Sequence, residues 1–353
     1  MKKIIFLAAM FFVVAMSLVA KGEVYNKLTC DKDGNYTILI VSDPQCETEN
    51  QWCEARDELE TLVERSNPNF VLINGDMNSE NKIPEDMFML FISPLTKRNI
   101  SWSTTNGNHD PFNYKTYKLY RSYKNCFNRL VSTTDVNYDS TRPMNYVLPI
   151  YSSNGKEIVF AIYGMDSGIK AEGGYEGLTQ KQIRWYKVQS NKLKSDNNGK
   201  AVTSILCMHV PLPQILEMYY SGTHKIYGLA NEVNYNAKGY ITESGVKIEK
   251  INIHTSSIVK DNKMFDAILK QGDIKAIIFG HNHRNNFIGS YKGVLLGFAG
   301  KISTGCYSDM VCRGGRVIRF NQTNPQLFTT EWIGVLPCAQ NQEPIYSTGE
   351  LAQ

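Results

Sequence analysis

The stretch Ile274-Lys-Ala-Ile-Ile-Phe-Gly-His-Asn-His283 decides how the rest of the chain is read. Its opening residues form a short apolar run with the length and composition of a buried strand. The run stops at Gly280, and His281, Asn282 and His283 follow at once. The same grammar recurs upstream. Tyr36-Thr-Ile-Leu-Ile-Val-Ser leads into Asp43-Pro-Gln45, and Phe70-Val-Leu-Ile-Asn leads into Gly75-Asp76. A more polar run, Ser101-Trp-Ser-Thr-Thr, precedes Gly107-Asn108-His109-Asp110, and Val202-Thr-Ser-Ile-Leu-Cys-Met precedes His209. In open α/β sheets, ligands bind outside the carboxyl ends of the strands. Asp43, Gln45, Asp76, Asn108, His209, His281 and His283 are therefore expected to converge on one crevice, and such a set of oxygen and nitrogen donors is a site for more than one metal ion.

Between these blocks the chain alternates strand and helix. Gln51 to Arg65 carries Leu59, Leu62 and Val63 on one helical face, and Glu85 to Ile92 follows Pro84, a residue suited to a first helical turn. Strand, helix and strand joined by short links predict a parallel sheet covered on both faces. Asn113 to Asn154 is rich in Tyr, Lys and Asn and reads as helix and loop over the site. Glu157 to Gly164 returns to strand. Thr179-Gln-Lys-Gln182 is a capping-box pattern that opens a helix to Leu193. A polar stretch from Gly222 to Thr255 reads as an inserted lid or loop, and Met264 to Lys270 as a helix. Strand-like runs at Val294 to Phe298, Val317 to Phe320 and Leu327 to Ile333 predict a second sheet packed on the first. The expected class is α/β: a β-sandwich flanked by helices, with the metal site at the C-terminal ends of strands.

The chain has 353 residues and a formal net charge of +4. Lys2 and Lys3 precede an apolar run from Ile4 to Val19, and the small residues Ala15, Ser17, Ala20 and Gly22 close it. This reads as a secretory signal peptide spanning 1–22 and predicts an exported, periplasmic or extracellular protein. The competing reading is a membrane anchor, but the run is just short of a minimal span and no basic cluster follows it. No later stretch is long and apolar enough to span a bilayer. Loss of Lys2, Lys3 and Lys21 would leave the chain close to neutral, without the basic footprint of a nucleic-acid-binding protein. Among eight cysteines there is no Cys-x-x-Cys pair, which argues against a zinc ribbon or a thioredoxin site. Export permits disulfides. Cys46 with Cys53 and Cys306 with Cys312 are the local pairs to test, while Cys207 sits in an apolar strand and reads as a free core thiol.

Hard carboxylate and amide oxygens beside imidazoles suit Mn, Fe or Zn rather than a thiolate-loving metal. Paired metals about 3.5–4 Å apart need a bridging ligand, and Asp76 is the natural candidate. Such a pair lowers the pKa of a bridging water and clamps phosphoryl oxygens for in-line displacement. His109, next to Asn108, would lie beside the metals and protonate a leaving oxygen or stabilise phosphoryl charge. Asp110 could orient its ring. Each block alone has a plainer reading: Gly75-Asp76 and Asp43-Pro-Gln45 as turns, His209 as a core histidine, and the two longer blocks as polar loops. Their order, each at a strand end, favours the site.

Taken together the blocks resemble the calcineurin-like metallophosphoesterases, a family that includes purple acid phosphatases and many exported phosphatases. Its pattern is Asp-x-His, Gly-Asp, Gly-Asn-His-Asp/Glu, a lone His and Gly-His-x-His, and the resemblance spans about residues 36 to 300. His209-Val-Pro-Leu-Pro and Gly280-His-Asn-His-Arg-Asn look closest to the purple-acid-phosphatase-like proteins of plants and fungi. The resemblance implies a metallophosphoesterase-type sandwich over residues 23–353, with an inserted loop around 222–255. It also implies two divalent or trivalent metal ions. Asp43, Gln45, Asp76 and His283 would hold one, Asp76, Asn108, His209 and His281 the other, and His109 would be the catalytic imidazole. Two departures matter. Gln45 stands where the family has His, and a neutral amide oxygen is the weaker ligand, so the first metal is expected to be more labile. Gly75-Asp76 is followed by Met77, Asn78, Ser79 and Glu80, none of them the iron-binding Tyr, so no purple iron–tyrosinate colour is expected.

The reading that follows is an exported dimetal phosphatase on phosphorylated small molecules, with a metal-activated water as nucleophile. The alternatives are a phosphodiesterase acting on nucleotides or phospholipid head groups, and a non-catalytic metal-binding interaction module, which Gln45 keeps open. Arg284 could meet a phosphate or be solvated. Tyr219, Tyr220 and Tyr227 could line a cleft or simply pack. Cys46 could border the site or pair with another thiol. Oligomeric state is not legible.

Overall fold

The computed structural model describes residues 27–77, 79, 83–172, 174–220, 226–227, 259–308, 313–336 and 346–347. In chain order the strands and helices begin with β1 (Leu28–Thr29), β2 (Asn35–Val41), α1 (Glu49–Ser66), β3 (Phe70–Asn74), α2 (Glu85–Phe91), α3 (Ser93–Lys97), β4 (Ser101–Thr105) and α4 (Tyr114–Ser122). Next are β5 (Tyr146–Tyr151), β6 (Ile158–Gly164), β7 (Lys170–Ala171), β8 (Gly174–Tyr175), α5 (Gln180–Asp196), β9 (Ser204–Cys207), α6 (Gln214–Tyr220) and β10 (Ile226–Tyr227). The chain closes with α7 (Met264–Gln271), β11 (Ile274–Phe279), β12 (Ile288–Tyr291), β13 (Val294–Phe298), β14 (Gly314–Asn321), β15 (Thr329–Gly334) and β16 (Tyr346–Ser347).

The described strands form an eight-stranded sheet, β1-β5-β6-β9-β11-β13-β12-β10, a six-stranded sheet, β16-β15-β14-β2-β3-β4, and a small pair, β7-β8. Residues alternate across each strand, so each strand feeds two cores. Ile38, Ile40, Phe70, Leu72 and Ile318 meet Leu148, Phe160, Ile162, Ile205 and Ile278 between the sheets. Phe160 stacks on Phe320 at 4.3 Å across that layer, a ring pair worth about 0.5–1.5 kcal/mol beyond its buried area. The opposite face of β2 and β3 packs Leu39, Val41, Val71 and Ile73 against Trp52, Leu59, Phe88 and Leu95 of the helices α1 to α3. On the far side, Tyr163, Leu206 and Ile277 pack against Ile183 and Tyr186 of α5 and Phe265 and Ile268 of α7. The result is a two-sheet sandwich flanked by helices, as expected.

Two expectations need correction. The stretch read as helix and loop, Asn113 to Asn154, also holds β5, which pairs antiparallel with β6. The late strands do not build the second sheet alone. β13 joins it beside β11, whereas β14 folds back antiparallel beside β2 and β15 pairs with β14. Hydrophobic patterning shows that a strand exists but leaves its partner to tertiary packing.

The polar strand β4 is buried because its side chains find partners. Ser103 Oγ lies 2.9 Å from Tyr146 Oη, Asn128 Oδ1 accepts from Thr104 N at 2.7 Å, and Thr105 Oγ1 donates to Asn74 Oδ1 at 2.8 Å. The Cys46–Cys53 pair does not form: Cys30, Cys46, Cys53, Cys126, Cys207 and Cys306 are all free thiols. The other local pair rests on Cys312, which lies outside the described residues. Cys207 is the buried core thiol expected. Among the described residues no helix is long and apolar enough to cross a membrane. Residues 1–22, and the predicted insert at 222–255 apart from β10, lie outside the described residues.

Candidate metal centre

The parallel strands β2, β3, β9 and β11 all deliver their last residues to one end of the sandwich, and β4 ends there too. Asp43 N donates to Gly75 O at 3.1 Å and Gln45 N to Asp76 O at 3.0 Å, which joins the loops after β2 and β3. Asn74 joins the sheets. Its Nδ2 donates to Met208 O at 3.2 Å and Ile278 O at 3.1 Å, at the ends of β9 and β11. The approach is close enough to demand glycine. A Cβ on Gly107 would overlap the Asp76 side chain, and one on Gly280 would overlap Ser42 Oγ.

Four of the candidate ligands, Asp43, Gln45, Asp76 and His281, have positive φ, at 53°, 38°, 51° and 72°. Non-glycine residues held there cost about 1–3 kcal/mol each and persist only where surrounding structure fixes them. The loops are thus bent to aim side chains, at some expense in stability.

The side chains converge. His209 Nδ1 donates to Asn74 O at 2.7 Å, which turns Nε2 inward, 3.1 Å from Asp76 Oδ2 and 3.6 Å from Asp43 Oδ1. His283 Nδ1 donates to Tyr307 O at 2.7 Å, leaving Nε2 3.3 Å from Asp43 Oδ1. Ring nitrogens fixed by backbone carbonyls in this way present the other nitrogen to a metal. His281 N donates to both Asp43 carboxylate oxygens, at 3.2 and 3.0 Å, while the ring packs edge-on against Tyr175 at 4.7 Å. Ligand atoms of Asp76, His209 and His281 lie within 4.8 Å of one another. Gln45 Nε2 donates to Asp76 Oδ2 at 3.1 Å.

Three buried atoms in this cluster have no hydrogen-bond partner: Gln45 Oε1, Asn108 Oδ1 and His209 Nε2. His209 Nε2 is near Asp76 but not aligned for a bond. An orphaned buried polar atom costs roughly 1–3 kcal/mol, and here all three are the atoms predicted to bind metal. The donor set fits hard or borderline cations held by oxygen and imidazole.

The charges agree. Burial alone would raise the Asp43 carboxyl, but His209, His283 and Lys301 outweigh it and hold it well below the usual range. Asp76 is likewise lowered, burial being overcome by His209. Burial would lower His209, yet Asp76 and Asp43 push it up to about 10. His281 falls to about 3 through burial and the charge of His209. A cation at this spot is electrostatically favoured, and in its absence a proton takes the place on His209.

His109 lies at the edge of the cluster. Its backbone N donates to Asp76 Oδ1 at 2.9 Å, and Nδ1 donates to Ser79 O at 3.2 Å, leaving Nε2 for another partner. Asp110 does not orient this ring, contrary to expectation. Its carboxylate accepts from Met77 N at 3.1 Å and Gly107 N at 3.2 Å, so it braces the two glycine loops against each other. Burial and the charge of Asp76 raise it to about 7.

Arg284 is half-buried, with its guanidinium 5.4 Å from the Tyr307 ring centroid. Tyr219 is buried and packs on Phe287 at 5.1 Å, the packing role rather than the cleft-lining one. The side chains of Tyr220 and Tyr227 lie outside the described ones. Cys46 is buried beside the site, donating to Pro44 O at 3.4 Å. Sequence reasoning missed Asn74, Tyr175, Lys301 and Tyr307. Only Asn74 left a signal, a polar residue closing an otherwise apolar strand.

Residues 36–285 match the family described as calcineurin-like phosphoesterase. Two plant relatives from Arabidopsis thaliana are similar at low identity. The protein named probable inactive purple acid phosphatase 28 is 21% identical over 76% of this chain and 70% of its own length. Its counterpart numbered 14 is 22% identical over 78% of this chain and 72% of its own. A crystal structure of a dimetal phosphatase from Danio rerio shares the fold, with a TM-score of 0.52 at 10% identity over 85% of this chain and 96% of that one.

Proposed function

Since the chain belongs to the calcineurin-like phosphoesterase family, we propose that it is an exported dimetal phosphomonoesterase acting on phosphorylated small molecules. The observation that carries this reading is the set of orphaned buried atoms, Gln45 Oε1, Asn108 Oδ1 and His209 Nε2, on the loops that gather the Asp43 and Asp76 carboxylates around His209.

Asp43, Gln45, Asp76 and His283 would hold one ion and Asp76, Asn108, His209 and His281 the other, with Mn, Fe or Zn as the chemically suitable choices. Bound ions supply Lewis-acid activation of water and neutralisation of phosphoryl charge. The chain's own residues do the rest. Asn74 O and Tyr307 O fix the tautomers of His209 and His283, so that Nε2 faces inward in each. Asp76 accepts the backbone N–H of His109 and so sets the ring's distance from the cluster. His109, half-buried with Nε2 left for another partner, would hand a proton to the departing alkoxide, which is general-acid work worth about 10²–10⁴ in rate. Asp110, Gly75 and Gly107 keep the loops rigid during that transfer.

Two other readings keep specific support. A phosphodiesterase would use the same cluster and differ only on the leaving-group side. A non-catalytic metal-binding module is favoured by the names of the plant relatives, which call them inactive, and by Gln45 in place of an imidazole. Intact His109 and six unaltered ligand positions support catalysis over that reading. Export rests on the residues from Met1 to Gly22, and N-terminal sequencing of the protein recovered from its host tests it. For activity, metal-stripped protein reconstituted with Mn²⁺ is offered p-nitrophenyl phosphate and bis-p-nitrophenyl phosphate. Faster monoester turnover is the expected result. Faster diester turnover moves the protein to the second reading, and silence on both with metal bound moves it to the third.

A further inference from the structure

The segment from Lys301 to Tyr307 lies outside every motif, yet it tracks the Asp43-Pro44-Gln45 turn carbonyl by carbonyl. Ile302 N donates to Ser42 O at 3.1 Å. Lys301 Nζ donates to Asp43 O, and Ser303 Oγ donates to Pro44 O. Gly305 lies so close to Gln45 O that a Cβ there would overlap it. Lys301 and Ser303 are fully buried, so these contacts are not surface accidents. The same segment ends at Tyr307, whose carbonyl accepts from His283 Nδ1 at 2.7 Å and whose ring stacks on His283 at 4.2 Å.

The segment is itself anchored. Glu58 Oε2 accepts from Ser303 N at 2.6 Å, and Glu54 Oε2 accepts from Thr304 N at 3.0 Å. Arg313 Nη1 pairs with both carboxylates, at 2.6 Å to Glu54 and 2.9 Å to Glu58. Helix α1 therefore holds the segment, and the segment holds the turn.

The distribution of these contacts is selective. Asp43, Gln45 and His283 are the ligands assigned to only one of the two metal positions, and each is touched by the segment. The bonds from the segment to the centre reach the Asp43-Pro44-Gln45 turn and His283, whereas Asn108, His209 and His281 belong to the other position. The turn it grips contains two residues at positive φ, a conformation that needs external support.

We propose that residues 301–307 are a positioning strap for the Asp43–Gln45–His283 metal position, setting its affinity separately from that of the Asn108–His209–His281 position; this rests on the two-metal reading above. Lys301, Ser303 and Tyr307 are positioning residues, acting through the ligands they hold. A strap of this kind offsets the weak amide ligand at Gln45 by keeping it from swinging away.

The test is a titration of the metal-stripped protein with Mn²⁺, followed by calorimetry and by electron paramagnetic resonance. Wild type, Ser303→Ala, Tyr307→Ala and Tyr307→Phe are compared. Tyr307 is 40% exposed, so its truncation leaves the core intact and the melting temperature near that of wild type. Wild type is expected to bind two Mn²⁺ with the signature of a coupled pair. Ser303→Ala and Tyr307→Ala are expected to weaken one of the two by about 10- to 100-fold, the range for outer-shell partners of metal ligands. The coupled signal should give way to that of an isolated ion, while Tyr307→Phe stays like wild type. Two unaltered sites in Ser303→Ala and Tyr307→Ala, or equal weakening of both sites, overturn the strap and leave the dimetal reading standing. A wild-type protein that binds no Mn²⁺ overturns the dimetal reading itself.

Discussion

His209 concentrates the electrostatics of the centre in one ring. Buried between Asp43 and Asp76, it is pushed up to about 10 and so carries a proton at neutral pH when no metal is bound. An imidazole must be neutral to bind a metal, so metal binding displaces that proton. At pH 7.5, calorimetric titration with Mn²⁺ in buffers of different ionisation enthalpy is expected to show net proton release; a buffer-independent heat would contradict the assignment. His109 makes the opposite prediction. It is tied to the cluster only through its backbone N–H to Asp76. His109→Ala should therefore keep its metal while turnover falls by about 10²–10⁴. Loss of metal in that variant would make His109 a ligand. These residues were legible because each follows a strand-like run, where chain direction alone says which end of the sheet it occupies. Asp110 was misread because adjacency in sequence does not put its carboxylate beside the imidazole. After a turn it points back to Met77 N and Gly107 N. Tyr175 and Tyr307 were invisible, being ordinary aromatics until the fold lays them on His281 and His283.

At the level of elements, helix α5 shows sequence chemistry carried straight into structure. Thr179 accepts from Gln182 N, and Gln182 Oε1 accepts from Thr179 N at 2.8 Å, completing the predicted capping box. Gln182 Nε2 goes on to donate to Asn145 Oδ1 and Asp166 O, both at 2.8 Å, so the cap also pins the chain just before β5 and just after β6. Thr179→Ala should cost about 1 kcal/mol of stability, visible as a lower denaturant midpoint with an unchanged slope; an unchanged midpoint would show that packing alone holds the helix end. Strand β5 was missed for the converse reason. It follows a long polar stretch and contains Pro149, a residue that argues against a strand away from an edge. It runs near the sheet margin, with only short β1 outside it, and so tolerates it. The strap at 301–307 left no trace either, since Lys, Ser and Gly that serve backbone carbonyls carry no motif.

The whole molecule is a sandwich whose two sheets end at a common rim. Strands β2, β3, β4, β9 and β11 each lead into polar residues of the centre, and Asn74 stitches the sheets together where those strand ends meet. Class and rim could be read from the strand-and-motif alternation, but the return of β14 and β15 to the first sheet could not, because a strand's partner is chosen by which apolar faces remain uncovered once the rest has packed. The architecture makes the centre a shared product of distant segments, and Asp76 lies at its middle, in contact with Gln45, His109 and His209. The most direct test of a dimetal hydrolase is therefore metal content together with p-nitrophenyl phosphate turnover in Mn²⁺-reconstituted wild type and Asp76→Asn. The account predicts two ions per chain and measurable turnover in wild type, with both lost in the variant. Near-normal turnover or undiminished metal in Asp76→Asn would contradict it.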